Sequence, residues 1–89
     1  MVSAVVLINC ARGEIEQVGE ELAAIPGVSE VFSVAGRVDL VANIKVSTNE
    51  QLAEVVSKRF ATVEGVTGTE TLIAFRVYSR EDLEAGFSI

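Results

Sequence analysis

Few side chains in this sequence are able to do chemistry. The 89 residues include no histidine and a single cysteine, which excludes disulfide frameworks, zinc sites of the usual kind and histidine-dependent catalysis. Cys10 has only Arg12 as a nearby basic residue, too little to stabilise a thiolate, and reads as a small buried or half-buried residue. Glu14, Glu16, Glu20 and Glu21 read as the water side of a helix rather than as metal ligands. What remains is Asp39, which stands in VAGRVDLVA three residues after Gly36 and between two apolar runs. A turn accounts for the glycine. The carboxylate has two readings: it satisfies backbone N–H groups at a hairpin, as Asp does in turns, or it is an acceptor kept for a ligand.

The elements that must position Asp39 follow from hydrophobic period. Residues 2–9 are a β-branched run, and Ile15, Val18, Leu22 and Ile25 recur three and four apart, as one face of a helix over 14–25. Pro26 and Gly27 stop that helix. VSEVFSVA at 28–35 reads as a strand, GRV as a short reversal, and LVANIKV at 40–46 as the strand returning from a hairpin. Ser47 with Glu50, or Thr48 with Gln51, fits a capping box ahead of a second helix bearing Leu52, Val55, Val56, Phe60 and Val63. Gly65 ends it, and 66–78 reads as one long final strand, with Phe75 and Tyr78 as core and interface residues.

The halves echo each other at an offset of 38 residues: Val18 maps to Val56, Leu22 to Phe60, Ile25 to Val63, and PGV at 26–28 to EGV at 64–66. A β-α-β-β-α-β order built from two such units predicts an α+β, ferredoxin-like fold: one four-stranded antiparallel sheet with both helices on one face. The domain is expected over 1–79, with 80–89 a tail whose Leu83 and Phe87 dock on the domain or a neighbouring chain.

Two helices cover only one sheet face, yet both faces are apolar: Val2, Ala4, Val6 and Ile8 point one way and Val5 and Leu7 the other. At roughly 25 cal/mol per Å2, an uncovered apolar face forfeits many kcal/mol and invites aggregation. A second sheet from an identical chain is the simplest cover, so a homodimer packed sheet to sheet, a dimeric α/β barrel, is expected.

Net charge is −6, and no stretch clusters lysine and arginine, so direct nucleic-acid binding is not expected. VSAVVLIN is too short to span a bilayer and has neither a basic leader nor a cleavage pattern. The expectation is a cytoplasmic protein with no membrane attachment.

The string INCARGEIEQVGEELAAIPGVSEVFSVAGRVDLVANI, followed by EQLAEVV and GVTGTETLIAF, resembles the ligand-binding and oligomerisation domain of the Lrp/AsnC family of amino-acid-responsive transcriptional regulators. The resemblance covers about residues 3–78. It rests most on IPGV-x-EV, the G-x-x-DL turn and GV-x-x-T-x-T, in that order and spacing. In that family the domain follows a DNA-binding helix-turn-helix. This sequence begins at the first strand and so resembles the stand-alone form, the RAM domain alone. The resemblance implies dimers that associate into octameric or other rings, with small effectors, typically amino acids, held between dimers near the hairpin turn. Co-assembly with full-length regulators through similar sheets is a further hypothesis, for which no residue speaks directly.

That resemblance gives the ligand reading of Asp39 a form. An α-amino acid needs an anionic acceptor for its ammonium and unencumbered donors for its carboxylate. Asp39 supplies the first; backbone N–H groups around Gly36, Arg37 and Val38 supply the second, because a glycine turn lets the main chain approach closely. Thr69 and Thr71 match the family's T-x-T and add hydroxyls on one side of a strand; without the resemblance they are ordinary strand residues. Where the family often has an aromatic this sequence has Val38, which makes one pocket wall smaller. No cofactor, metal or catalytic residue is assigned, and the chain is expected not to be an enzyme. Two alternatives stand beside the sensor: a purely structural oligomerisation module, and a cofactor-free dimeric-barrel enzyme, which the absence of histidine disfavours.

Overall fold

The computed structural model describes residues 1–80; the tail with Leu83 and Phe87 lies outside the described residues. The elements run β1 (Val2–Cys10), α1 (Ile15–Ala23), β2 (Val28–Ser33), β3 (Leu40–Val46), α2 (Asn49–Glu54) and β4 (Val66–Ile73). The strands form one sheet in the order β2-β3-β1-β4, and all three neighbouring pairs are antiparallel. This is the ferredoxin-like arrangement.

Alternation decides which residues meet the helices. Ala4, Val6 and Ile8 of β1 pair with Ile44, Ala42 and Leu40 of β3, and all six are buried with Val18, Leu22 and Ile25 from the first half and Leu52, Val55 and Phe60 from the second. The 38-residue repeat extends into the strands, since Ala4, Val6 and Ile8 correspond to Ala42, Ile44 and Val46, each of them in the core. The two repeat glycines share a backbone conformation too. Gly27 and Gly65 both have φ +98°, and each carbonyl accepts from a neighbouring strand's side, Gly27 from the N–H of Lys45 at 2.8 Å and Gly65 from that of Ala11 at 2.7 Å. A side chain at either site would collide with the core: a Cβ would sit 2.9 Å from Val46 at Gly27 and 2.8 Å from Val18 at Gly65.

Thr48 and Gln51 resolve the capping choice. Thr48 Oγ1 accepts the Gln51 N–H at 3.1 Å, while Gln51 Oε1 accepts the N–H of Ser47 at 2.8 Å, one residue before the cap. The helix that follows is not uniform. After Glu54 it widens into a π turn over Val55–Arg59 and closes with a 3-10 turn over Phe60–Thr62. Val55 and Phe60, five residues apart, would point away from each other on an α-helix, and the i→i+5 turn brings both into the core.

Two expectations are corrected. The reversal between β2 and β3 is a six-residue loop, 34–39, closed by the Val34 N–H donating to the Asp39 carbonyl at 3.0 Å. The final strand stops at Ile73 because β1, its only neighbour among the described residues, begins at Val2: Ile73 pairs with Ala4, the Ala74 N–H reaches Ser3, and little of β1 remains beyond them. Phe75 and Tyr78 are therefore not core residues of the protomer; Phe75 is fully exposed and Tyr78 is 71% exposed.

Among the described residues no helix lies over the other sheet face. Val5 and Leu7 of β1, Val41 of β3, Phe32 of β2 and Leu72 of β4 share it by register, and Phe32 and Leu72 are 45% and 47% exposed. Among the described residues no helix is long and apolar enough to cross a membrane.

Candidate functional site

The site begins with a bulge. Between Asn9 and Cys10 the β1–β4 register shifts, so Cys10 pairs with Val66 rather than Thr67. On the opposite side of β1, Asp39 clasps the same stretch twice. Its N–H donates to the Ile8 carbonyl at 2.9 Å, and its carboxylate Oδ2 accepts the Cys10 N–H at 2.8 Å. Asp39 thus ties the β2–β3 loop to the end of β1. The partner it satisfies is 29 residues away, not in its own turn.

The remainder of the loop is open. Gly36 and Arg37 are exposed, Val38 and Asp39 are half-buried, and Gly36 has φ +151° with nothing within 4 Å of where a Cβ would be. Among the described residues the N–H groups of Gly36, Arg37 and Val38 donate no hydrogen bond, and the second carboxylate oxygen of Asp39 accepts none. The structure therefore gathers Gly36, Arg37, Val38 and Asp39 into one loop that carries unused donors beside an unused anionic acceptor.

Thr69 and Thr71 are not part of that cluster in one protomer. They pair with Ile8 and Val6 on the edge strand β4, so their side chains share the helix side of the sheet. Thr69 is exposed and Thr71 half-buried. Leu40, next to Asp39, also pairs with Ile8, so β1 separates the threonines from the loop by two strand spacings, about 10 Å.

Sequence reasoning missed the Cys10 N–H, since nothing in a local pattern marks a backbone donor 29 residues from its acceptor. The Cys10 thiol is pushed above its ordinary value, first by burial and then by the carboxylates of Asp39 and Glu14. That agrees with an unreactive cysteine. Glu16, Glu20 and Glu21 are exposed along α1, the water side the sequence suggested, whereas Glu14, just before the helix, is half-buried beside Gly65.

The chain thus has an α+β, ferredoxin-like architecture with a glycine-containing loop at one end of its sheet. Residues 3–83 match the family described as the Lrp/AsnC ligand binding domain, and the chain belongs to that family. An uncharacterized HTH-type transcriptional regulator of Pyrococcus abyssi is 35% identical over 65 residues, 73% of this chain and 43% of that protein. The chain spans about half the length or less of the curated relatives it matches. These relatives are transcriptional regulators and not enzymes, in line with the expectation. Among solved structures, TTHA0845 of Thermus thermophilus is 44% identical with a TM-score of 0.84, covering 90% of this chain and all of that one. The transcriptional regulator NMB0573 of Neisseria meningitidis, solved as a complex with L-Met, shares the fold at 11% identity, with a TM-score of 0.78, over 89% of this chain and 53% of its own.

Proposed function

We propose that this chain is an amino-acid-sensing and oligomerisation module of Lrp/AsnC type. The observation that carries this is the pairing in one loop of three unused backbone donors, at Gly36, Arg37 and Val38, with the unused oxygen of Asp39. An α-amino acid presents the complementary set, a carboxylate beside an ammonium. The same-fold regulator solved with L-Met supports a ligand of that class. Val38 is the only partly buried apolar side chain in the segment 35–38, so it sets the space left for the ligand's own side chain.

Assembly completes the site. Phe32, Leu72, Val5, Leu7 and Val41 pack against the same face of an identical chain, giving a homodimer, and dimers associate into an octamer or similar ring. Because Thr69 and Thr71 stand two strands from the loop in one protomer, the hydroxyls that meet the ligand come from a neighbouring protomer. Ligand binding then favours the assembled state by its differential affinity for it. Co-assembly with full-length regulators through the same apolar face transmits that response.

Isothermal titration of the protein with a panel of amino acids tests the reading, using Asp39→Asn as control. Asparagine keeps an oxygen for the Cys10 N–H but loses the charge that holds an ammonium. A sensor loses binding in this variant while staying folded. No binding of any amino acid by the native chain rejects it in favour of a purely structural module, and unchanged binding in Asp39→Asn rejects Asp39 as the acceptor of the ammonium.

A further inference from the structure

At the opposite end of β3 from Asp39, the turn after α1, the end of β3 and the second helix enclose a cavity of about 350 Å3, within the size range of small-molecule sites. Val46 and Val55, both core residues, give it an apolar floor. Exposed polar side chains stand around that floor: Lys45, Ser47, Gln51, Glu54 and Arg59. The π turn accounts for the last two. Residues five apart on an α-helix point about 140° away from each other. Here the Phe60 N–H donates to the Val55 carbonyl, and this i→i+5 turn brings Glu54 and Arg59 to one side as it does Val55 and Phe60.

The polar groups of the cavity are not used up by one another. Lys45, Glu54 and Arg59 form no ion pair among the described residues, so two cations face one carboxylate in a chain whose net charge is −6. Gln51 Oε1 accepts the Ser47 N–H at 2.8 Å, which leaves the Gln51 amide N–H groups and the Ser47 hydroxyl with no partner among the described residues. Charge and donors suit an oxyanion. Glu54 adds a condition, since a carboxylate repels an anion unless that anion donates a hydrogen bond to it. We propose that this cavity binds small oxyanions that carry an O–H group, hydrogen phosphate or a hydroxycarboxylate. Lys45 and Arg59 hold the charge, Gln51 and Ser47 donate, and Glu54 accepts from the ligand's O–H. The site is separate from the Asp39 loop: Leu40 and Val46 are the two ends of β3, about 20 Å apart at some 3.4 Å per residue.

The proposal does not rest on the amino-acid reading of that loop. The test is an amide NMR titration of the full chain near neutral pH and at constant ionic strength, with two matched pairs of probes: phosphate against sulfate, and malate against succinate. Within each pair only the first carries an O–H group. Saturable shifts are expected at Lys45, Ser47 and Gln51 and not at Gly36 or Arg37, with phosphate and malate about tenfold tighter than their partners, as one charge-assisted hydrogen bond provides. Lys45→Gln combined with Arg59→Gln, both at exposed positions, is expected to weaken phosphate binding about tenfold or more. Glu54→Gln is expected to abolish the preference within each pair, because an amide also donates. Lys58→Gln removes an exposed cation outside the cavity lining, and Asp39→Asn alters the loop; both are expected to leave the response unchanged. No saturable response to phosphate or malate, equal affinities within the pairs, binding that survives loss of Lys45 and Arg59, or an equal loss in Lys58→Gln overturns the proposal.

Discussion

Asp39 and Cys10 are joined by a hydrogen bond across 29 residues, the backbone N–H of Cys10 donating to the Asp39 carboxylate at 2.8 Å. The bond fixes the end of β1 against the start of β3, and it leaves the second carboxylate oxygen with no hydrogen bond among the described residues. One residue therefore holds the loop in place and offers it a charge. Asp39→Ala removes both functions and is expected to cost about 1–2 kcal/mol, as a half-buried donor loses a charged acceptor. Asp39→Asn is expected to cost less. Paired urea denaturation curves of the two variants and the native chain check the order.

Gly27 and Gly65 hold equivalent turns of the repeat at φ +98°, each with a core valine less than 3.0 Å from where a Cβ would be. Alanine at either position meets strain and a clash together, and each variant is expected to lose more than about 1 kcal/mol. Gly36→Ala meets strain without a clash, since nothing lies within 4 Å, and it is expected to be the mildest of the three. Thermal unfolding of the three variants ranks them.

Phe32 is 45% exposed on the open sheet face, so Phe32→Asp leaves the protomer's own core intact. It places a charge within the proposed sheet-to-sheet contact, where an unpaired carboxylate has no compensation. The expected result is a folded monomer, read by light scattering alongside an unchanged far-ultraviolet spectrum.

Burial and the nearby carboxylates of Asp39 and Glu14 keep the Cys10 thiol protonated above its ordinary value of 9.0. Between that value and the native one the folded chain holds a proton that the unfolded chain has lost. The resulting contribution to stability is full below pH 9 and falls as pH rises through the native value. Iodoacetamide is expected to alkylate native Cys10 more slowly than the same cysteine in the urea-unfolded chain, and Asp39→Asn to narrow the difference by removing one of the charges.

The architecture was legible because its signals are periodic. Val18, Leu22 and Ile25 mark a helix face by spacing alone, and the alternation of Leu40, Ala42 and Ile44 marks a strand. The π turn was not legible, because Val55 and Val56 offer two choices for the core face and only packing with Phe60 decides between them. Phe75 and Tyr78 have the composition of a strand, but the strand beside them ends first. Gly36 and Asp39 stood out by their chemistry, and the loop holding them proved longer than a tight turn. The bond that positions Asp39 depends on a β1 bulge, which no local pattern announced.

The central claim is that the Gly36–Asp39 loop holds an amino acid in an assembled ring. Native mass spectrometry of the full chain against a panel of common amino acids reports stoichiometry and bound mass together. The account predicts a species larger than a dimer that takes up a defined number of one amino acid, with the uptake lost in Asp39→Asn. A plain dimer that binds none of them, or uptake that survives in Asp39→Asn, would contradict it.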